Sequence, residues 1–230
     1  MISIGYFIFS ILLTYLIRQY AIKKSIMDIP NDRSSHSTPT PRGGGLAIVI
    51  IFYIGITFFY FEKSISDELY FALLCSLPIV VVSLIDDMVT LSSKIRFIIQ
   101  SVSAIFALYF LEGVTYIDFV LFEISGWWLN VVAFFAIIWL TNLYNFLDGI
   151  DGYAGSQAVI AGIGIFFLLG NNIGLLIAFG SLGFLVFNWP KASIFMGDVG
   201  SATLGFLFAI LCFNDTSSGN IYIWLILLSL

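Results

Sequence analysis

The chain has 230 residues, of which 60% are hydrophobic and only 10% charged, where a soluble domain carries about 25% charged residues. That composition excludes an ordinary water-soluble fold, and a net charge of −5 with no clustered basic face argues against nucleic acid as a partner. The two cysteines, Cys75 and Cys212, lie singly in apolar runs without His or Cys at metal spacing, and read as packing residues.

The first apolar run, 3–20, has no Lys or Arg ahead of it, while Arg18, Lys23 and Lys24 lie at or beyond its end. That order is the reverse of a secretory signal, so the run is expected to persist as the first span, N-terminus outside. Further runs fall at 46–61, 69–85, 97–111, 128–140, 153–169, 173–187 and 202–213. Each approaches the ~17–25 residues of a spanning helix, and polar or Gly/Pro residues separate them. The predicted architecture is an all-α polytopic integral membrane protein, one domain over 1–230, with about eight complete transmembrane helices. A ninth run, 221–230, is too short to cross alone and reads as a truncated span.

Alternating these spans puts the loops 23–42, 86–96, 142–152 and 188–201 on one side. Arg18, Lys23, Lys24, Arg33, Arg42, Lys94, Arg96 and Lys191 fall there, against Lys63 on the other. By the positive-inside rule the first side is cytoplasmic. Glu62, Asp67, Glu68, Glu112, Asp118, Glu123 and Asp215 fall outside and read as solvated loop charges. The same parity gathers Asp86, Asp87, Asp148, Asp151 and Asp198 on the cytoplasmic face from three separate loops, which marks a candidate site.

The loop between the first two spans, 28–45, contains Arg33, Ser34, Ser35, His36, Thr38, Thr40, Arg42 and the triplet Gly43, Gly44, Gly45. Its composition favours a flexible linker, although hydroxyls, arginines and glycines also suit a phosphate loop; no Walker pattern is present. Asp86 and Asp87 close the third span, where the last carbonyls of a helix disfavour carboxylates by ~0.3–1 kcal/mol each. A cation or a shared proton would relieve that repulsion, against the plain alternative of a solvated helix end. Lys94 and Arg96 follow, placed either to neutralise these carboxylates or to hold phosphate. Asn145, Asp148 and Asp151 recur at spacing three, one face if the helix persists, and suit a hard cation or a nucleotide; otherwise Asp151 caps the next helix. In Phe195–Ser201, Asp198 or Ser201 serves as an N-cap of the eighth span or as part of a metal and anion site.

Taken together and in order, these segments resemble the polyprenyl-phosphate N-acetylhexosamine-1-phosphate transferases, the family that starts bacterial O-antigen, teichoic acid and related glycans and makes the first lipid intermediate of peptidoglycan. The matching stretches are 30–45, Asp86 and Asp87 with 93–96, then 142–152 and 195–201, and the Arg33-Ser34-Ser35-His36 form is closest to the O-antigen-type starters. The resemblance implies Mg²⁺, with Mn²⁺ as an alternative, a UDP-N-acetylhexosamine donor, a polyprenyl (undecaprenyl) phosphate acceptor, and a multi-pass protein of the bacterial inner membrane; a homodimer is left open. It implies catalytic roles for Asp86 and Asp87, metal ligation by Asp198 and Asp87, nucleotide or substrate contacts from Asn145, Asp148, Asp151 and Asn188, and stacking of Phe195 on uracil. Thr40 and Lys94 are matched near phosphate. It also implies further spans and a His-rich loop beyond Leu230, so the chain is expected to be a fragment or an incomplete reading frame. Two other readings stand beside it: a transporter using carboxylates, and a membrane protein without catalysis.

Overall fold

The computed structural model describes residues 2–30 and 37–229. Asn31, Asp32, Arg33, Ser34, Ser35 and His36 of the first motif lie outside the described residues. The apolar runs are helices: α1 (Ile2–Lys23), α2 (Leu46–Phe61), α3 (Asp67–Leu74), α4 (Leu77–Met88), α5 (Ser93–Phe110), α6 (Leu129–Leu147), α7 (Tyr153–Leu169), α8 (Ile173–Asn188), α9 (Asp198–Asn214) and α10 (Ile221–Leu227). Among the described residues, four stretches are long and apolar enough to cross a membrane: Ile4–Lys23, Asp67–Met88, Ser93–Phe110 and Leu129–Leu147. The apolar helices α2, α7, α8 and α9 are shorter, at 16 or 17 residues, about 25 Å at 1.5 Å per residue.

Two details amend the sequence reading. The expected continuous span at 69–85 bends between α3 and α4, because Pro78 in the first turn of α4 cannot donate the hydrogen bond that would join the two. The fold is also not purely α-helical. Met27–Asp28 (β1) pairs antiparallel with Thr40–Pro41 (β2), and Tyr116–Asp118 (β3) with Glu123–Ser125 (β4). Each ribbon pairs main-chain groups in a segment outside the helices.

Helix α9 is the axis of the packing. Every residue from Val199 to Leu211 is buried, and a helix apolar on all sides belongs inside a core. Helices α4 and α6 pack along it, and α8 lies among α1, α2 and α7. Small residues make the close crossings possible, as in membrane bundles generally. A Cβ on Gly162 of α7 would stand 2.6 Å from the carbonyl oxygen of Gly174 on α8, and one on Gly205 of α9 would stand 2.6 Å from that of Leu140 on α6. The outer surface is apolar as well: α6 buries Ala133 and Ile137 completely while exposing Phe135 by 59% and Trp139 by 64%. Apolar side chains both inside and out suit a bundle solvated by lipid.

Because the helices alternate in direction, the C-terminal ends of α1, α4, α6 and α8 and the N-terminal ends of α2, α5, α7 and α9 share one pole. The opposite pole holds the α2–α3 turn, the β3–β4 ribbon and a 3₁₀ turn, Thr216–Ser218, that packs on β3. Asp215, read from sequence as a solvated charge, instead accepts hydrogen bonds there from Asn220 Nδ2 (3.1 Å) and Trp224 Nε1 (2.9 Å).

Candidate active site

Asp86 and Asp87 occupy the last turn of α4, the negative end of its dipole. Asp87 is 5% exposed, a placement that requires partners. The N-terminus of α9 supplies them: the amides of Asp198 and Val199 donate to Asp87 Oδ1 (3.2 Å) and Oδ2 (3.4 Å). The positive end of one helix therefore faces carboxylates at the negative end of another. Neither Asp198 nor Ser201 caps α9 as expected. Gly197 is the N-cap residue, no side chain of its own caps the helix, and Asp87 does so from α4. Gly197 has φ +74°, and a Cβ there would lie 2.6 Å from Asp87 Oδ2, so only glycine lets the carboxylate approach.

Two arginines hold this meeting point. Arg96 Nη1 bridges Asp86 Oδ2 (3.1 Å) and Asp198 Oδ2 (2.7 Å). Arg42 Nε donates to the Asp87 carbonyl at 2.8 Å, and Nη2 reaches the Asp86 carbonyl at 3.4 Å. The segment carrying Arg42 is not a free linker. The amides of Gly44 and Gly45 donate to the carbonyls of Phe195 (2.9 Å) and Met196 (2.8 Å), and the Phe195 amide donates back to Pro41 (2.8 Å). Thr40 is buried and its hydroxyl donates to the Thr38 carbonyl at 3.0 Å, a turn-forming role.

Asp148 enters from a third direction. Helix α6 ends at Leu147, with Asp148 as its C-cap, so Asn145, Asp148 and Asp151 do not continue along one helical face. Asp148 Oδ2 instead accepts the Gly197 amide at 3.2 Å. Asp148 is half-buried as a residue, yet its carboxyl lies deep among protein atoms. That burial pushes it well above the usual carboxylate range, with the charges of Asp198, Asp87 and Asp151 adding to the effect and the Gly197 N–H opposing it. Asn145 Oδ1 accepts from Ser201 Oγ at 2.6 Å, tying α6 to α9 beside the cluster.

Asp151 and Asn188 organise the neighbouring loop. Asp151 does not cap α7; its Oδ2 accepts the Ala192 amide at 3.0 Å. Asn188 is 3% exposed, and its amide is spent on main chain: Oδ1 accepts Gly152 N–H and Nδ2 donates to the Ile194 carbonyl, both at 3.0 Å. Here Asn188 holds the 188–194 loop against the start of α7, where the sequence match had set it beside the nucleotide. Phe195 is half-buried one residue past Ile194.

The site thus brings Asp86, Asp87, Asp148 and Asp198 to the N-terminus of α9, with Arg42 and Arg96 beside them among the described residues. Residues 69–214 match the model of Glycosyl transferase family 4, well over half of the chain. The chain belongs to that family. It is 32% identical over 221 residues to a probable undecaprenyl-phosphate N-acetylglucosaminyl 1-phosphate transferase of Bacillus subtilis (strain 168), covering 87% of this chain and 58% of that protein. It is 32% identical over 203 residues to an undecaprenyl-phosphate alpha-N-acetylglucosaminyl 1-phosphate transferase of Thermotoga maritima, covering 86% and 60%. A phospho-N-acetylmuramoyl-pentapeptide-transferase of Thermotoga petrophila is also 32% identical, over 213 residues, covering 86% and 68%. The chain therefore spans about three fifths of the length of the first two of these relatives.

In this family-4 chain Lys94 stands apart from the carboxylates. It lines a 740 Å³ groove between α5 and α6 with Ser93, Arg96, Phe97, Ile138 and Asn142. Asn142 Nδ2 donates to Gln100 Oε1 at 2.7 Å, linking the two walls. The groove is charged where it meets the cluster and apolar away from it, a gradient that suits a charged head on a hydrocarbon tail. Sequence reasoning did not single out Arg42 or Gly197 individually. The signal available was the Gly43-Gly44-Gly45 triplet, which spares the backbone contact with 195–196 any side chain, and the lone glycine ahead of Asp198.

Proposed function

We propose that this family-4 chain carries the transferase site of a magnesium-dependent membrane enzyme, which moves N-acetylhexosamine-1-phosphate from a UDP-sugar to undecaprenyl phosphate and releases UMP, starting a cell-envelope glycan. The observation that carries the reading is the meeting of four carboxylates and two arginines at the N-terminus of α9, beside a groove polar at one end and apolar at the other. The functions of the relatives, undecaprenyl-phosphate N-acetylglucosaminyl 1-phosphate transferases among them, support it.

In the reaction, an oxygen of the lipid phosphate forms a bond to the sugar-bearing phosphorus while the bond from that phosphorus to the oxygen of UMP breaks. Two anions must meet, so the protein's work is positioning and charge compensation. The Asp86/Asp87 pair takes up any proton left on the lipid phosphate. Arg96 and Lys94 face the phosphates, Asn145 and Asp151 the nucleotide, and Phe195 the uracil ring.

The donor set suits Mg²⁺: hard carboxylate oxygens of Asp87 and Asp198 meeting at the N-terminus of α9. Among the described residues no three acidic, His or Cys side chains close into a metal cage, which accords with an ion that uses one or two carboxylates and completes its shell with water and phosphate. Asp198 and Asp87 would hold it, and when bound it supplies neutralisation of charge on the transferring phosphoryl group. The pole bearing the site is cytoplasmic in a bacterial inner membrane, with eight crossing helices, the shorter four included, and the N-terminus outside. Radiolabelled UDP-N-acetylglucosamine incubated with undecaprenyl phosphate, Mg²⁺ and the full-length protein should give label soluble in organic solvent. Label trapped inside vesicles, or no conversion, overturns the reading.

A further inference from the structure

We infer that Arg42 is a positioning residue for the acidic pair: its guanidinium clamps the final carbonyls of α4 and so fixes where Asp87 meets α9. Three segments meet at this point. Residues 41–45 are stapled to 195–196 by three main-chain hydrogen bonds. Beyond Gly197 in that second segment, the amides of Asp198 and Val199 donate to the Asp87 carboxylate. Arg42 closes the triangle, reaching from the first segment to the carbonyls of Asp87 and Asp86. Its distance to Asp87 Oδ1 is 4.0 Å, so the main contact is to the backbone.

The chemistry requires a guanidinium. Carbonyls in the last turn of a helix lack intrahelical donors and carry partial negative charge. A planar fork serves two of them from one rigid, pre-organised position, whereas the ammonium of a flexible lysine holds them less firmly. Without the clamp, α4 keeps two carboxylates at its negative end, held among the described residues by Arg96, the Leu91 amide and the α9 amides. The last turn of α4 then has reason to fray, carrying Asp87 away from Asp198. Lys24 lines the same 380 Å³ cavity as Arg42 and Asp87 but, among the described residues, bonds neither carbonyl, which makes it a control for charge alone.

The activity half of this inference rests on the proposed transferase reading; the structural half does not. Arg42→Lys, Arg42→Met and Lys24→Met are compared in the full-length protein. Both Arg42 variants should lower kcat by about ten- to a hundredfold, with KM for the UDP-sugar changed less than about twofold, whereas Lys24→Met stays within about twofold of the parent. In hydrogen exchange, the Asp198 and Val199 amides should exchange at least about tenfold faster in Arg42→Met, with the α7–α8 turn unchanged. Parental turnover in Arg42→Lys overturns the fork argument, equal loss in Lys24→Met reduces Arg42 to local charge, and a rise in KM alone makes it a substrate anchor. Unchanged exchange at 198–199 overturns the inference even if the parent transfers no sugar, an outcome that would separately remove the proposed function.

Discussion

Asp198 sends its side chain to Arg96 and its amide to Asp87, so the same residue ties the start of α9 to both α5 and α4. Asp118, on the other pole, accepts the Val120 amide within its own ribbon. Asp198→Asn is therefore expected to lower turnover by about a hundredfold or more, and Asp118→Asn by less than about twofold. Equal losses in the two variants would remove Asp198 from the site. Asn188 should behave differently from both. Replacing it with Ala leaves the Gly152 N–H and the Ile194 carbonyl buried without partners, a cost on the order of 2 kcal/mol or more, read as a lower melting temperature in detergent. A large rise in KM with unchanged melting would return Asn188 to the nucleotide pocket. Parity of spans is enough to bring charged loops to one pole, and Asp86, Asp87, Asp148 and Asp198 of those loops meet at the N-terminus of α9 while Asp151 bonds the Ala192 amide. The sequence could not separate structural from site residues. An asparagine spent on two main-chain groups and one facing a ligand leave the same letter in the same loop, and the distinction appears only when Asn188 is seen between α7 and the 188–194 segment.

The helices follow from the apolar runs with few changes, and those changes have local causes. Pro78 announces the bend between α3 and α4, whereas Thr40–Pro41 gives no strand signal by itself; it is ordered by the ribbon with Met27–Asp28 and the main-chain bond from Phe195. The depth of α9 was not legible, because its run is no more apolar than its neighbours and only packing decides which helix is central. Close crossings at glycine set a further test. A methyl group on Gly174 would press on the backbone of Gly162 and Phe166, while one on Gly5 of α1 would meet nothing within 4 Å. Gly174→Ala is expected to destabilise the α7–α8 pair by about 1–3 kcal/mol, and Gly5→Ala to leave melting unchanged. Similar melting shifts in the two would contradict the crossing.

At the scale of the molecule, one pole carries the cluster and nearly all the positive charge, while the flanks present aromatic and aliphatic surface suited to lipid. If the site pole is cytoplasmic, a membrane-impermeant thiol reagent applied to intact cells should label a cysteine introduced at Ser66 and spare one at Ser92; the reverse pattern defeats the proposed topology. In the proposed reaction a lipid acceptor would give this arrangement its purpose, since a reaction between two water-soluble head groups would be held at a membrane face by the tail of one of them. The Asp86, Asp87, Asp148 and Asp198 carboxyls crowd one point, where burial and mutual repulsion already hold Asp148 above the usual range, and like charges a few ångströms apart at an effective dielectric of about 20 repel by several kcal/mol per pair. A divalent cation that offsets this repulsion should be required for turnover. The most direct measurement is a Mg²⁺ titration of sugar-phosphate transfer by the full-length protein and by its single Asp→Asn variants at 86, 87, 148, 151 and 198. The expected result is no transfer in chelator, a weakened apparent Mg²⁺ affinity for Asp198→Asn, and a lower plateau at saturating Mg²⁺ for Asp86→Asn. Activity that survives chelation, or five variants with identical titrations, would contradict the account.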